Sequence, residues 1–151
     1  MESARRAEEE DLAVCRRLLV SALDAAQSMR GGTALTGDHT VDGLLARWTA
    51  PVAALYVGVF EHATVGLAAA TTFRRGGRVG RSARIECCYV EPGARGVGVG
   101  GALMHALVEW CTGRGAGDID ALALPGDRST KQRLEAAGFT ARLLTLNRSL
   151  D

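Results

Sequence analysis

The stretch YVEPGARGVGVGGALMHALVEW, Tyr89–Trp110, carries five glycines and one arginine between an extended apolar run and a helical one. Glycine inside a regular element costs roughly 0.5–1 kcal/mol relative to alanine, because the unfolded chain loses more freedom. That density of glycine therefore needs a reason. A glycine-rich turn that opens a helix leaves several N–H groups unpaired and turns the positive end of the helix dipole outward. The arrangement suits a phosphate or a pyrophosphate.

Reading outward, Gly98–Thr112 has helical spacing, with Val99, Leu103, Ala106, Leu107, Trp110 and Cys111 on one face. GRGAGD then ends the helix with glycine. Upstream, Ala83–Val90 reads as a strand, preceded by two β-branched, apolar runs, Ala53–Phe60 and Thr64–Phe73. EHA between those two is a tight hairpin connection, and RRGGRVGR, Arg74–Arg81, is a looser one. On the N-terminal side, Glu8–Ala26 is a helix behind an acidic first turn, MRGGTALTGDHT a loop, and Val41–Trp48 a short helix closed off before Pro51. A short strand is expected at Ser3–Ala7. Toward the C-terminus, Ile119–Leu124 is a strand, Asp127–Ala137 a helix ended by Gly138, and Phe139–Leu146 a last strand. The order α-α-β-β-β-α-β-α-β describes a mixed α/β fold, neither pure βαβ alternation nor all-β.

The chain has 151 residues, which predicts a single domain over residues 1–151. Hydrophobic residues make up 47% and charged residues 23%, an ordinary soluble balance. A net charge of +1 gives no bulk field toward nucleic acid or a membrane, so neither is an expected partner. MESARRAEEED is too acidic and polar for a signal peptide, and no apolar run is long enough to span a bilayer. The four cysteines, Cys15, Cys87, Cys88 and Cys111, show no CxxC spacing, and the three histidines are scattered. A reduced, cytoplasmic setting and no metal site are expected.

Three nucleotide-binding patterns compete for the glycine loop. A P-loop requires GxxxxGK[ST], and no Lys-Ser or Lys-Thr follows here. The dinucleotide fingerprint GxGxxG matches Gly96, Gly98 and Gly101, with Asp118 or Asp120 about twenty positions on. Two hairpin-linked strands precede this loop, however, and only one clear βαβ unit exists. The third pattern, [RQ]-x-x-G-x-[GA], is met by Arg95, Gly98 and Gly100. With IECCYVEPGARGVGVGGALM around it, RRAEEEDLAVCRRLL at the start and LEAAGF at Leu134–Phe139, the chain resembles the GNAT N-acetyltransferase superfamily along essentially its whole length.

The resemblance implies a central, mostly antiparallel mixed sheet flanked by helices, and acetyl transfer from acetyl-CoA to a primary amine on a small molecule or peptide. The N–H groups of Arg95, Gly96, Val97, Gly98, Gly100 and Gly101 would cradle the coenzyme pyrophosphate. The backbone of Val90 would pair with the pantetheine arm, as an added strand does. A homodimer is usual for the resemblance. An alternative of the same fold is a non-catalytic coenzyme A binding or sensing module.

Acetyl transfer needs an amine freed of its proton, donors for the oxyanion, and a proton for the leaving thiolate. Alternation along the strand sets Arg84, Glu86 and Cys88 on one face and Ile85, Cys87 and Tyr89 on the other. The family often has a bulge here, which would spoil alternation beyond Cys88. The resemblance points to Glu86 as the carboxylate facing the acceptor, acting directly, through water, or by holding a cationic amine. A structural ion pair with an arginine is the other reading. The oxyanion would fall to N–H groups near Tyr89 and Val90. Many relatives carry a thiolate-protonating tyrosine four residues before the Gly-Phe pair, and here that position is Leu134. Asp127 reads as the N-cap of the last helix, and Lys131 as an exposed helix lysine. A covalent route through Cys87 or Cys88 lacks a neighbouring base. Arg74, Arg75, Arg78, Arg81 and Arg84 form the one clear charge cluster, read as a solvated loop or an anion site.

Overall fold

A ladder of five strands in the order β1-β2-β3-β4-β5 runs through the computed structural model, which describes residues 1–77 and 80–151. The strands are β1 (Glu2–Arg6), β2 (Ala53–Phe60), β3 (Ala63–Phe73), β4 (Arg81–Val90) and β5 (Ala116–Ala121). The first four pair antiparallel, and β5 pairs parallel to β4. The helices are α1 (Leu12–Gln27), α2 (Gly32–Thr36), α3 (Val41–Trp48), α4 (Val99–Gly113) and α5 (Arg128–Ala136). This is the mixed, mostly antiparallel sheet that the sequence predicts.

The sheet carries one apolar cluster on each face. On one, Ala68, Ala70, Ala83 and Ile85 pack against Val99, Leu103, Leu107 and Cys111 of α4, and Leu134 of α5 joins them. On the other, Leu55, Val57, Leu67 and Ala69 pack against Cys15, Leu18 and Leu19 of α1 and Leu44, Leu45 and Trp48 of α3. Successive residues of β3 thus serve opposite layers, as the period of two requires. The entry to α1 is fixed by Asp11, which is 6% exposed. It takes the Glu8 N–H at 2.8 Å and two Arg5 guanidinium bonds at 2.7 and 2.9 Å. The Arg5 bonds outweigh burial and hold its pKa below the usual carboxylate range.

Two close approaches set α4 on the sheet. Gly58 and Gly66 are cross-strand partners on β2 and β3. A Cβ at Gly58 would fall 2.4 Å from Val99 Cγ1, and one at Gly66 would fall 2.8 Å from the Tyr89 carbonyl oxygen. The first turn of α4 lies against the sheet because both positions lack a side chain.

The structure differs from the sequence reading in four places. MRGGTALTGDHT holds the short helix α2, five residues entered from Gly31 at φ +80, too brief to show a period. The strand expected at Ile119–Leu124 is Ala116–Ala121, because the β4–β5 ladder ends at the Ile85–Ala121 pair and Leu122–Leu124 leaves the sheet. The strand expected at Phe139–Leu146 does not form: residues 139–151 have no regular structure, and Leu143, Leu144 and Leu146 are 80–91% exposed. With Leu143 and Leu144 adjacent, a strand there would carry leucine on both faces, so alternation selects no single buried side. The hairpin EHA, by contrast, closes at two residues, Glu61 and His62, at φ +47 and +72, the positive pair that a type I′ turn requires. The fourth difference lies in β4, where the candidate site is built.

Candidate active site

β4 and β5 are joined only as far as Ile85 and Ala121. Beyond that pair two parallel strands part, and the ladder groups of β4 are left open on that side. The β3 register steps from Ala70–Ile85 to Ala69–Cys87, so Glu86 is the extra residue of a β-bulge. The bulge comes two residues before Cys88 and changes the alternation there. Cys88 joins Ile85 and Val90 on the α4 face, while Cys87 and Tyr89 lie with the α1–α3 layer. The expected grouping of Arg84, Glu86 and Cys88 on one face therefore fails at Cys88.

A cavity of about 470 Å³ opens at the parting. Glu86, Arg84 and Cys87 of β4 line it, with Arg47 and Trp48 from the C-terminal end of α3. Leu19, Leu23 and Met29 form part of an apolar wall, and Leu124 faces it from the β5–α5 connection. Val90, Arg95 and Arg133 line it as well.

Glu86 is held from two sides. Its Oε1 accepts from Arg47 Nη2 at 2.7 Å and from Arg47 Nε at 3.0 Å. Its Oε2 accepts from Arg47 Nε at 2.9 Å and from Trp48 Nε1 at 2.7 Å. Burial pushes the carboxyl pKa up, but the Arg47 and Trp48 hydrogen bonds, with the charges of Arg47 and Arg84, pull it further down. It ends below its ordinary value. Trp48 is therefore both a core residue, 2% exposed, and a donor to the site. Neither Arg47 nor Trp48 was identified from sequence as a partner of Glu86.

The glycine loop follows β4 directly. A 3-10 turn, Pro92–Ala94, leads into Gly96 at φ +86 and Gly98 at φ +92, and Gly98 is the N-cap of α4. Only glycine adopts such angles without strain. Among the described residues, the N–H groups of Gly96–Gly101 donate to no protein acceptor, as expected of a bare helix start. Gly101 has open space where a Cβ would stand. The Glu91 N–H turns to Val65 of β3 at 2.9 Å, so Val90 presents its groups to the opposite, open side. There the Val90 carbonyl accepts from Arg95 Nε at 3.0 Å. Val97, 36% exposed, stands outside the core.

Arg133 of α5 is a further residue that sequence reasoning missed. A Cβ at Gly100 would fall 2.6 Å from Arg133 Nε, so the guanidinium lies on the first turn of α4. Its Nη1 also reaches Cys88 Sγ at 3.7 Å. The only sequence signal was helical position, one residue before the buried Leu134. Asp127 caps α5, accepting from the Thr130 N–H at 3.1 Å and its hydroxyl at 2.6 Å. Lys131 is exposed.

Cys87 and Cys88 are free thiols whose pKa values burial pushes up, with Arg133 opposing this only at Cys88. In the arginine cluster, Arg75 pairs with Asp120 and stacks on Phe73 at 5.7 Å, and Arg84 stacks on the same ring at 5.4 Å. Arg78 lies outside the described residues. Among the described residues no group of three or more His, Cys, Asp or Glu side chains gathers as for a metal, and no helix is long and apolar enough to cross a membrane.

A bulged carboxylate strand, a parting from its parallel neighbour and a bare glycine helix start meet at one cleft. The family model of the acetyltransferase (GNAT) family matches residues 23–139, and the chain belongs to that family. No curated protein sequence matches it. Among solved structures it is similar to a transcriptional regulator from Bacillus halodurans C-125, at 20% identity over 99% of this chain and 100% of that one, with a TM-score of 0.73. It is similar also to the aminoglycoside N-acetyltransferase AAC(6')-Iy in complex with CoA, at 19% identity, 100% and 96% coverage and a TM-score of 0.72. An aminoglycoside acetyltransferase from an uncultured soil metagenomic sample, in complex with sisomicin, matches at 16% identity, 99% and 97% coverage and a TM-score of 0.72. At these identities the likeness is one of fold.

Proposed function

We propose that this chain is an N-acetyltransferase that moves an acetyl group from acetyl-CoA to a primary amine by direct attack of the amine. The observation that carries the reading is one cavity lined both by Val90, Arg95 and Arg133, the last beside the first turn of α4, and by Glu86 and the apolar wall of α1. The unpaired N–H groups of the loop fit a pyrophosphate, and CoA is bound in the AAC(6')-Iy structure. In this reading the N–H groups of Gly96, Val97, Gly98, Gly100 and Gly101 hold the pyrophosphate, and that of Arg95, which donates to the Pro92 carbonyl at 3.4 Å, joins them once that bond is released. Val90 pairs with the pantetheine arm after Arg95 releases its carbonyl. The coenzyme supplies an acetyl thioester, and the N–H groups near Tyr89 and Val90 face its oxyanion.

Glu86 stays ionised, because Arg47 and Trp48 hold it so. It orients a water or the amine rather than storing a proton. Leu134, 7% exposed, offers no hydroxyl, so solvent protonates the thiolate, a mild demand for a group titrating near ~8.5. The same leucine favours the second reading, a coenzyme A sensing module without catalysis. A homodimer is part of the proposal, supported by the exposed leucines of the C-terminal segment; sedimentation at micromolar concentration checks it. A cytoplasmic location is proposed from the four free cysteines.

Thermal unfolding with acetyl-CoA, CoA and NADH tests the ligand. A ligand at ~100 times its Kd adds about 2.7 kcal/mol, a visible shift. A rise with the two CoA species alone supports the reading, and a rise with NADH alone replaces it. Thioester consumption in the presence of amines then separates enzyme from sensor.

A further inference from the structure

Arg84 Nε is buried without a hydrogen-bond partner, although the guanidinium lines the cavity. That N–H is left bare at a cost, while the side chain as a whole is 43% exposed, so the Nη groups are the ones a ligand oxygen can reach. Asp120 does not supply one: its nearest approach to Arg84 is 3.8 Å at Nη2, and it is paired with Arg75. The guanidinium lies over the Phe73 ring, its Cζ 5.4 Å from the centroid. It is therefore a cation placed at the cavity wall with donors to spare.

Arginines outnumber carboxylates around it, although Asp120 stands 3.8 Å from Arg84 Nη2. Arg47, Arg84, Arg95 and Arg133 line the cavity, against the carboxylates Glu86 and Asp127. Both carboxylates are occupied, Glu86 by Arg47 and Trp48 and Asp127 by the cap of α5. Arg95 and Arg133 stand at the glycine-loop end. Leu19, Leu23, Met29 and Leu124 supply an apolar part of the lining, with Thr36 and His39 as further polar groups. Among the described residues that line the cavity, no carboxylate is left without a partner for a polycation.

Resting on the proposed acetyl transfer, we propose that the acceptor is a small amine with an apolar body and a carboxylate, and that Arg84 binds the carboxylate. A planar guanidinium fork matches two carboxylate oxygens. The positive surroundings also disfavour the protonated amine, so the attacking neutral form gains population where it is needed. Polycationic acceptors such as aminoglycosides meet like charge instead.

The test uses the full chain with L-phenylalanine, phenethylamine and sisomicin as acceptors. In parallel, binding of 3-phenylpropionate and its neutral amide is measured calorimetrically in saturating CoA and without it. The expected result is at least a tenfold preference for the carboxylate in each pair, with sisomicin the poorest acceptor. Arg84→Met should bring both ratios to within about twofold of one, and Arg84→Lys should restore part of them. Equal binding of acid and amide, faster turnover of phenethylamine or sisomicin, or a preference that survives Arg84→Met would overturn the assignment. The acid–amide comparison needs no chemistry and no variant. If CoA does not bind but the acid still does, the transferase reading fails and the carboxylate site stands.

Discussion

Arg133 of α5 lies across the backbone of Gly100, its Nε only 2.6 Å from where a Cβ would stand. A cation at the N-terminal end of a helix opposes the helix dipole. It becomes favourable when an anion sits between the two, as a phosphate does at a bare helix start. Arg133→Gln should therefore weaken CoA binding by about tenfold, or roughly 1.4 kcal/mol. The salt dependence of binding should flatten too, since one screened charge is gone. Isothermal titration at two ionic strengths measures both. An unchanged Kd would make Arg133 a packing residue of the Cys88 contact alone.

The Glu86–Arg47–Trp48 cluster carries a pH prediction. The folded pKa of Glu86 is depressed, so its contribution to stability is present above the ordinary glutamate pKa of about 4.3 and is lost as pH falls through the folded value. Glu86→Gln should therefore lower the Tm at neutral pH, and the gap to the parent chain should close as pH drops below about 4. Thermal melts from neutral pH to pH 3 read this. A gap that stays constant would mean that the lost contacts are not charge-assisted. The same substitution should slow acetyl transfer while leaving CoA affinity unchanged, because Glu86 sits away from the glycine loop.

Gly58 and Gly66 govern the seat of α4. A methyl at Gly58 would stand 2.4 Å from Val99 Cγ1 and 3.0 Å from Leu103 Cδ1. Overpacking of this kind costs about 1–3 kcal/mol, and Gly58→Ala should lower the Tm by roughly 2–12 °C for a chain of this size. Gly66→Ala meets the Tyr89 carbonyl at 2.8 Å, a backbone atom that cannot rotate away. It should weaken CoA binding as well as stability, because Tyr89 leads into Val90 and the loop. Gly76→Ala, with open space around it, is the control.

Much of this was legible in the sequence because the signals were local. The spacing of Leu12, Cys15, Leu18 and Leu19 fixes α1, and the angles of Gly96 and Gly98 follow from a loop that only glycine can make. What was not legible depends on contacts distant in sequence. The bulge at Glu86 is a register step against Ala69 and Ala70, and alternation alone carries no mark of it. Arg47 and Arg133 reach the site from helices 39 and 45 residues away from their β4 partners. Gly58 reads as an ordinary strand glycine until α4 is laid upon it. The strand expected at Phe139–Leu146 failed for a related reason: its leucines satisfied a composition rule, yet no edge in the single chain takes them up.

The thiols decide between direct and covalent transfer. Burial pushes Cys15 and Cys111 up to about 11 and raises Cys87 further. A thiol at 11 is ionised to about one part in a thousand at pH 8, against roughly a quarter for an ordinary cysteine. Cys88 is raised as well, with Arg133 as its one opposing influence. Iodoacetamide at pH 8 should therefore label the native chain slowly, Cys88 first, and label all four sites quickly in denaturant. Arg133→Gln should slow labelling of Cys88 and leave Cys15 unaffected. Enzyme quenched in acid after mixing with acetyl-CoA should carry no acetyl adduct by mass spectrometry. An adduct at Cys87 or Cys88, formed and consumed at the rate of turnover, would replace direct attack with a two-step transfer.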